Sequence, residues 1–156
     1  MTDSTPRQLF DRWIEAVNKQ DRNALAAVLH PDYIDEMPQS GERTRGAANL
    51  FAILDNFPRF DEMRDSVSMA QLIGAEDRWV ITPNFTVVQV VGDAEVYTIT
   101  GRATYPDGLH WYMIVLARLK DGLIHRTTSF YAPELPAPEW RSQWVERMEP
   151  ATDGPT

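Results

Sequence analysis

The chain of 156 residues has no cysteine, which excludes disulfides, thiolate metal sites and a cysteine nucleophile. Only three histidines are present, and none stands with carboxylates at i, i+4 or another chelate spacing, so no metal site is expected. Cations are the minority. Fifteen Lys and Arg face 23 Asp and Glu, the formal charge is −8, and the basic residues are scattered. That pattern argues against nucleic acid as a partner, because a phosphate backbone needs clustered cations. No apolar run approaches about 18 residues, and MTDSTPRQLF lacks a basic stretch followed by an apolar one. No membrane span or signal peptide is expected, and a cytoplasmic location is the default. A Gly-rich phosphate loop and a G-x-S-x-G elbow are missing as well, so no nucleotide cofactor and no serine hydrolysis are expected; cofactors are read as none.

What remains is 43% hydrophobic, enough for the core of one domain over residues 1–149, with a disordered tail at 150–156. The first third is helical in period. Thr5-Pro6-Arg7-Gln8 forms a capping box with Pro at the first helical position, and Leu9, Trp13, Ala16 and Val17 then recur at helical spacing to about Lys19. Asp21 caps a second helix through Leu25 and Val28, which Pro31 stops. Thr44 caps a third through Ala47, Leu50, Phe51 and Leu54, ending at Phe57-Pro58.

From about Arg64 the period becomes two, in runs near 65–73, 78–91, 94–105, 109–120 and 123–131. Gly92-Asp93, Pro106-Asp107-Gly108 and Asp121-Gly122 have the chemistry of tight reversals, so consecutive strands pair antiparallel. Helices on one side of a curved antiparallel sheet make an α+β domain. In GLHWYMIVLARLKDG both faces are apolar: Trp111, Met113, Val115, Ala117 and Leu119 on one, His110, Tyr112, Ile114 and Leu116 on the other. One face lines a cavity, while the other either meets a second subunit in a homodimer or is covered by the C-terminal segment. That segment, ELPAPEWRSQWVERM, places Trp140, Trp144 and Met148 on one stripe of a terminal helix, which closes the cavity mouth, reaches a partner or packs on its own sheet.

The order helix, turn, helix and strand ending in Pro38, over RWIEAVNKQDRNALAAVLHPDYIDEMP, together with the closing run ARLKDGLIHRTTSFYAP, resembles the nuclear transport factor 2-like superfamily. Its members include ketosteroid isomerases, limonene-epoxide hydrolases and SnoaL-like polyketide cyclases. The resemblance covers residues 7 to 132 and implies a cone-shaped fold, three N-terminal helices packed on a curved antiparallel sheet. Such folds host enzymes, binding proteins and assembly modules alike, so function rests on the pocket.

Compared with ketosteroid isomerases, the general-base position before the Pro is Met37, the oxyanion Tyr is Trp13, and the second oxyanion acid falls on Val115. Compared with limonene-epoxide hydrolases, Glu36-Met37-Pro38 resembles the water-holding phrase, but the Asp-Arg-Asp set falls on Thr86, Asn84 and Ser129. The SnoaL-like pattern of Tyr, a polar residue, Pro and Gly matches Tyr33, Glu36, Pro38 and Gly41. Glu36 is therefore the expected proton-transfer group, and Asp35 takes its place if the strand register shifts by one. His110 lies on the face opposite Trp111 and is expected at an interface or surface; His30 is expected as a helix-end cation and His125 at a strand edge. Trp13, Tyr33, Met37, Trp111, Met113 and Phe130 are expected to line a mostly apolar cavity for a small hydrophobic, polyketide- or terpenoid-like molecule. Isomerase, cyclase or hydratase-type acid-base chemistry is the expected activity, with a non-enzymatic ligand-binding or assembly module as the alternative.

Overall fold

The computed structural model describes residues 5–59, 67–74 and 96–148, with the backbone alone for 67–74. The 78–91 run with Asn84 and Thr86, the Gly92-Asp93 turn, and the tail at 150–156 lie outside the described residues.

Helix α1 spans Pro6–Lys19. Thr5 Oγ1 accepts from the Gln8 N–H at 3.3 Å while Gln8 Oε1 accepts from the Thr5 N–H at 2.9 Å, satisfying two of the donors that a helix start leaves open. Gln20 ends the helix in the left-handed region at φ 55°. Helix α2, Arg22–Val28, is capped by the Asp21 carboxylate on the Ala24 N–H at 3.0 Å. It stops three residues short of Pro31, because strand β1, Leu29–Met37, is already paired with the sheet at Leu29. A short strand β2, Glu42–Arg45, pairs antiparallel with β1 and leads into helix α3, Gly46–Asn56. Thr44 is thus not a helix cap as expected: Arg45 holds that place without a side-chain bond, and Thr44 is buried in β2 opposite Asp35.

Strands β3 (Val67–Gly74), β4 (Val96–Thr104), β5 (His110–Lys120) and β6 (Leu123–Pro133) complete a sheet in the order β2-β1-β6-β5-β4-β3. Every neighbouring pair is antiparallel except β1 with β6, which is parallel. Asp121 and Gly122, both at positive φ, close the β5–β6 hairpin in the two-residue turn their types favour. Between Leu29 and Ile34, β1 advances five residues while β6 advances two from Ile124 to Arg126. Pro31 sits in this bulge, where its missing N–H costs no ladder bond. His30, expected as a helix-end cation, lies instead in β1; it is buried and its Nδ1 accepts from the Asp32 N–H at 3.0 Å.

The core forms between the helices and the inner face of the sheet, with Leu9, Phe10, Leu25 and Val28 against Ile99, Val115, Ala117 and Ile124. Among the described residues after Pro133 the chain forms only a short 3-10 turn, Glu139–Trp144. Its stripe does not pack on the sheet as one alternative had it, since Trp140, Trp144 and Met148 are 73%, 70% and 90% exposed.

Candidate functional site

Downstream of the β1 bulge, alternation sends Tyr33, Asp35 and Met37 to the inner side of the sheet. With Trp13, Ile14 and Val17 of α1, Leu50, Ile53 and Leu54 of α3, and Ala103, Met113, Ser129 and Tyr131 of the sheet, they line a cavity of about 340 Å³. The walls are mostly aliphatic and aromatic. Asp35 is the only formally charged side chain among the described lining residues.

Asp35 Oδ1 accepts from Thr127 Oγ1 at 2.6 Å and from Ser129 Oγ at 2.9 Å. Because the Thr127 hydrogen is committed to the carboxylate, the 2.8 Å contact between Tyr33 Oη and Thr127 Oγ1 has the tyrosine as donor. Tyr131 lines the same wall as Ser129, close to its side chain. The Tyr33–Thr127 chain and the Ser129 hydroxyl thus converge on one oxygen, and within the chain each bond polarises the next. Oδ2 has no protein partner among the described residues. Burial, and then the Asp35 charge, raise both phenols: Tyr33 far above its ordinary value, Tyr131 to about 12. Both remain neutral donors near pH 7.

Glu36, the expected proton-transfer group, does not line this cavity. One residue along a strand reverses the side chain, and Glu36 pairs in register with Arg43 across β1–β2. Its Oε1 takes Arg43 Nε at 2.7 Å and Nη2 at 2.6 Å, with Arg126 Nη2 at 3.5 Å. A carboxylate so paired is poorly placed to accept a substrate proton. Asp35, the alternative under a one-residue shift, is the carboxylate in the cavity.

Trp13, Tyr33, Met37 and Met113 are among the lining residues, whereas Trp111 and Phe130 are not. Phe130 lies between the inward-facing Ser129 and Tyr131 and opposite the exposed Ile114, so it belongs to the outer face. Trp111 stands behind the wall, its ring 5.1 Å from that of Tyr105, which does line the cavity. His110 contacts Thr104 at 3.1 Å away from the cavity, and His125 packs on His30 with rings 4.9 Å apart. Thr127, Ser129 and Tyr131 were missed as site residues, although their i, i+2, i+4 spacing in TTSFY is a signal for one shared face. No cluster of three or more metal-ligating side chains occurs among the described residues.

A second, more polar depression of about 300 Å³ adjoins the cavity, sharing Val17, Leu25, Leu54 and Phe57 with it. An Arg22–Asp55 ion pair ties α2 to α3 at its rim.

Residues 10–127 match the model of the SnoaL-like domain. An NTF2-like protein of unknown function from Burkholderia xenovorans LB400 has a similar structure, with a TM-score of 0.67, 21% identity, and coverage of 92% of this chain and 94% of that one. So does a Kribbella flavida protein provisionally described as a ketosteroid isomerase, with a TM-score of 0.66, 21% identity, and coverage of 92% and 89%. A Sinorhizobium meliloti protein provisionally described as a polyketide cyclase follows at a TM-score of 0.53, 13% identity, and coverage of 79% and 94%. At these identities the likeness is one of fold. Among curated proteins no match is found.

Proposed function

The chain belongs to the SnoaL-like domain family, within the nuclear transport factor 2-like superfamily, and on that basis we propose that it catalyses proton transfer on a small apolar molecule with Asp35 as general base. One observation carries this reading: Asp35 lines an apolar cavity with its Oδ1 held by two hydroxyls, while Oδ2 has no protein partner among the described residues. Anchoring one oxygen fixes the aim of the other, which is what positioned catalysis requires. In an isomerase-type step a substrate C–H bond beside a carbonyl breaks, its proton goes to Oδ2, and its electron pair forms an enolate. Return of the proton at another carbon completes the cycle and regenerates the carboxylate. Thr44, Tyr105 and the Trp13 indole supply neutral donors in the same cavity for the enolate oxygen. Apolar walls keep bulk water from competing for the proton.

A β,γ-unsaturated cyclic ketone serves as a probe, followed by the absorbance of its conjugated product. Asp35→Asn, which retains the shape and the Oδ1 acceptor, is expected to lower the rate by roughly 10²- to 10⁴-fold, and Glu36→Gln by no more than a few-fold. The reverse ranking would overturn the assignment.

A second reading is a binding module without turnover. It is favoured by Val115, which is fully buried in the core where the ketosteroid-isomerase resemblance implies an acid, and by Trp13 where it implies a tyrosine. Saturable binding without measurable turnover in the wild type would select it. The outer sheet face, where Tyr112 and Ile114 are 45% and 47% exposed, is in our reading the surface on which two copies pair.

A further inference from the structure

We infer that the cavity is built for a lipophilic ammonium ion: a small apolar body carrying one protonated amine that pairs with Asp35 Oδ2 among aromatic rings. The inference shares with the proposed function the assignment of Oδ2 as the working oxygen. Its test reads binding rather than turnover, so the two can fail separately.

The reasoning begins with charge. Among the described lining residues Asp35 stands alone, without Lys, Arg or His to balance it. On the adjoining depression, Arg22 is already paired with Asp55 and donates to the Phe51 carbonyl at 3.3 Å. Among the described residues the carboxylate is supported only through Oδ1, by Thr127 and Ser129. A neutral hydrocarbon filling the cavity would strip Oδ2 of water and return nothing, leaving a charged acceptor buried and unpaired. An anionic ligand would add repulsion. An ammonium ligand instead supplies both a donor and the missing charge.

The aromatic content of the walls points the same way. Trp13, Tyr33, Phe57, Tyr105 and Tyr131 all line the cavity, and Tyr33 is joined to Asp35 through Thr127. Ring faces attract cations, most strongly where water is excluded. A carboxylate flanked by rings thus discriminates by charge as well as by shape, while the aliphatic side chains of α1 and α3 accept the apolar body.

Three probes of similar shape separate these terms: N,N-dimethylbenzylamine as cation, isobutylbenzene as its neutral carbon isostere, and phenylacetate as anion. Affinities at neutral pH and constant ionic strength are read from protein chemical-shift titrations. The amine is expected to bind at least about tenfold more tightly than isobutylbenzene, and phenylacetate more weakly than either. In Asp35→Asn the ratio of amine to hydrocarbon affinity should fall to about one, mainly through loss of amine binding. Equal amine and hydrocarbon affinities in the wild type overturn the inference, and that comparison decides it even if the variant fails to fold. An amine preference that survives Asp35→Asn also overturns it. Loss of ketone turnover in Asp35→Asn without any amine preference would keep Asp35 as a base and reject the ligand class. Preference for the amine without turnover would do the opposite.

Discussion

Replacing Thr127 with Val tests whether Tyr33, Thr127 and Asp35 act as one unit. The two side chains have nearly the same shape, but Val can neither accept from Tyr33 nor donate to Asp35. Thr127 is 1% exposed and Tyr33 is 3% exposed, so water cannot easily restore either bond. The stranded Tyr33 hydroxyl should cost about 1–3 kcal/mol, and loss of the 2.6 Å bond to the carboxylate about 1.5–3 kcal/mol more. Thr127→Val is therefore expected to destabilise by roughly 3–5 kcal/mol. Tyr33→Phe alone removes one neutral hydrogen bond and leaves Thr127 on Asp35, for about 1 kcal/mol. Once Val occupies position 127, however, Tyr33→Phe removes an unpaired buried hydroxyl and should return stability. The double variant should thus be about 2–4 kcal/mol more stable than the sum of the single effects predicts. Urea unfolding of the four proteins measures this coupling, provided the denaturant slope is constant across them. A double variant that equals the sum within about 0.5 kcal/mol would refute the relay.

Ile114→Asp places a charge at the centre of the outer sheet face; if two copies pair there, sedimentation should show a wild-type dimer and a folded, monomeric variant, whereas a wild-type monomer at micromolar concentration refutes the pairing. The buried phenols predict alkaline behaviour: Tyr131 ionises near its ordinary 10.0 when unfolded but at about 12 when folded, so its contribution to stability is intact below pH 10.0 and is lost as pH rises toward about 12. Tyrosinate absorbance should show Tyr33 and Tyr131 resisting ionisation until the fold opens, and full ionisation of all five tyrosines in a still-folded protein near pH 11 would contradict the burial.

The elements that could be read along the chain are those whose signals are local. The Thr5–Gln8 capping box, the helical period to Lys19 and the Asp121-Gly122 reversal each depend on a few neighbouring residues, and the structure places them as expected. Strand β2 was not legible, because ERTR carries little strand propensity and exists through its bonds to β1. Thr44 misled for the same reason: a hydroxyl before a helical run has the signature of a cap until a partner strand claims it. For the candidate proton-transfer group the reading turned on one point, the phase of β1. Pro31 and the bulge around it reset which side chains face inward, and the parallel pairing of β1 with β6 spans more than ninety residues, beyond any local window. Yet the phase was recoverable by consistency. Tyr33 and Met37 had been taken as cavity residues, and strict alternation between them admits Asp35 and excludes Glu36. The same rule applied to TTSFY groups Thr127, Ser129 and Tyr131 and rejects Phe130. Hydrophobicity favoured Phe130, but in a two-sided sheet the alternation decides which face a residue serves, and here it turns Asp35, Ser129 and Tyr131 toward the cavity while a Glu–Arg pair and a phenylalanine lie on the other face.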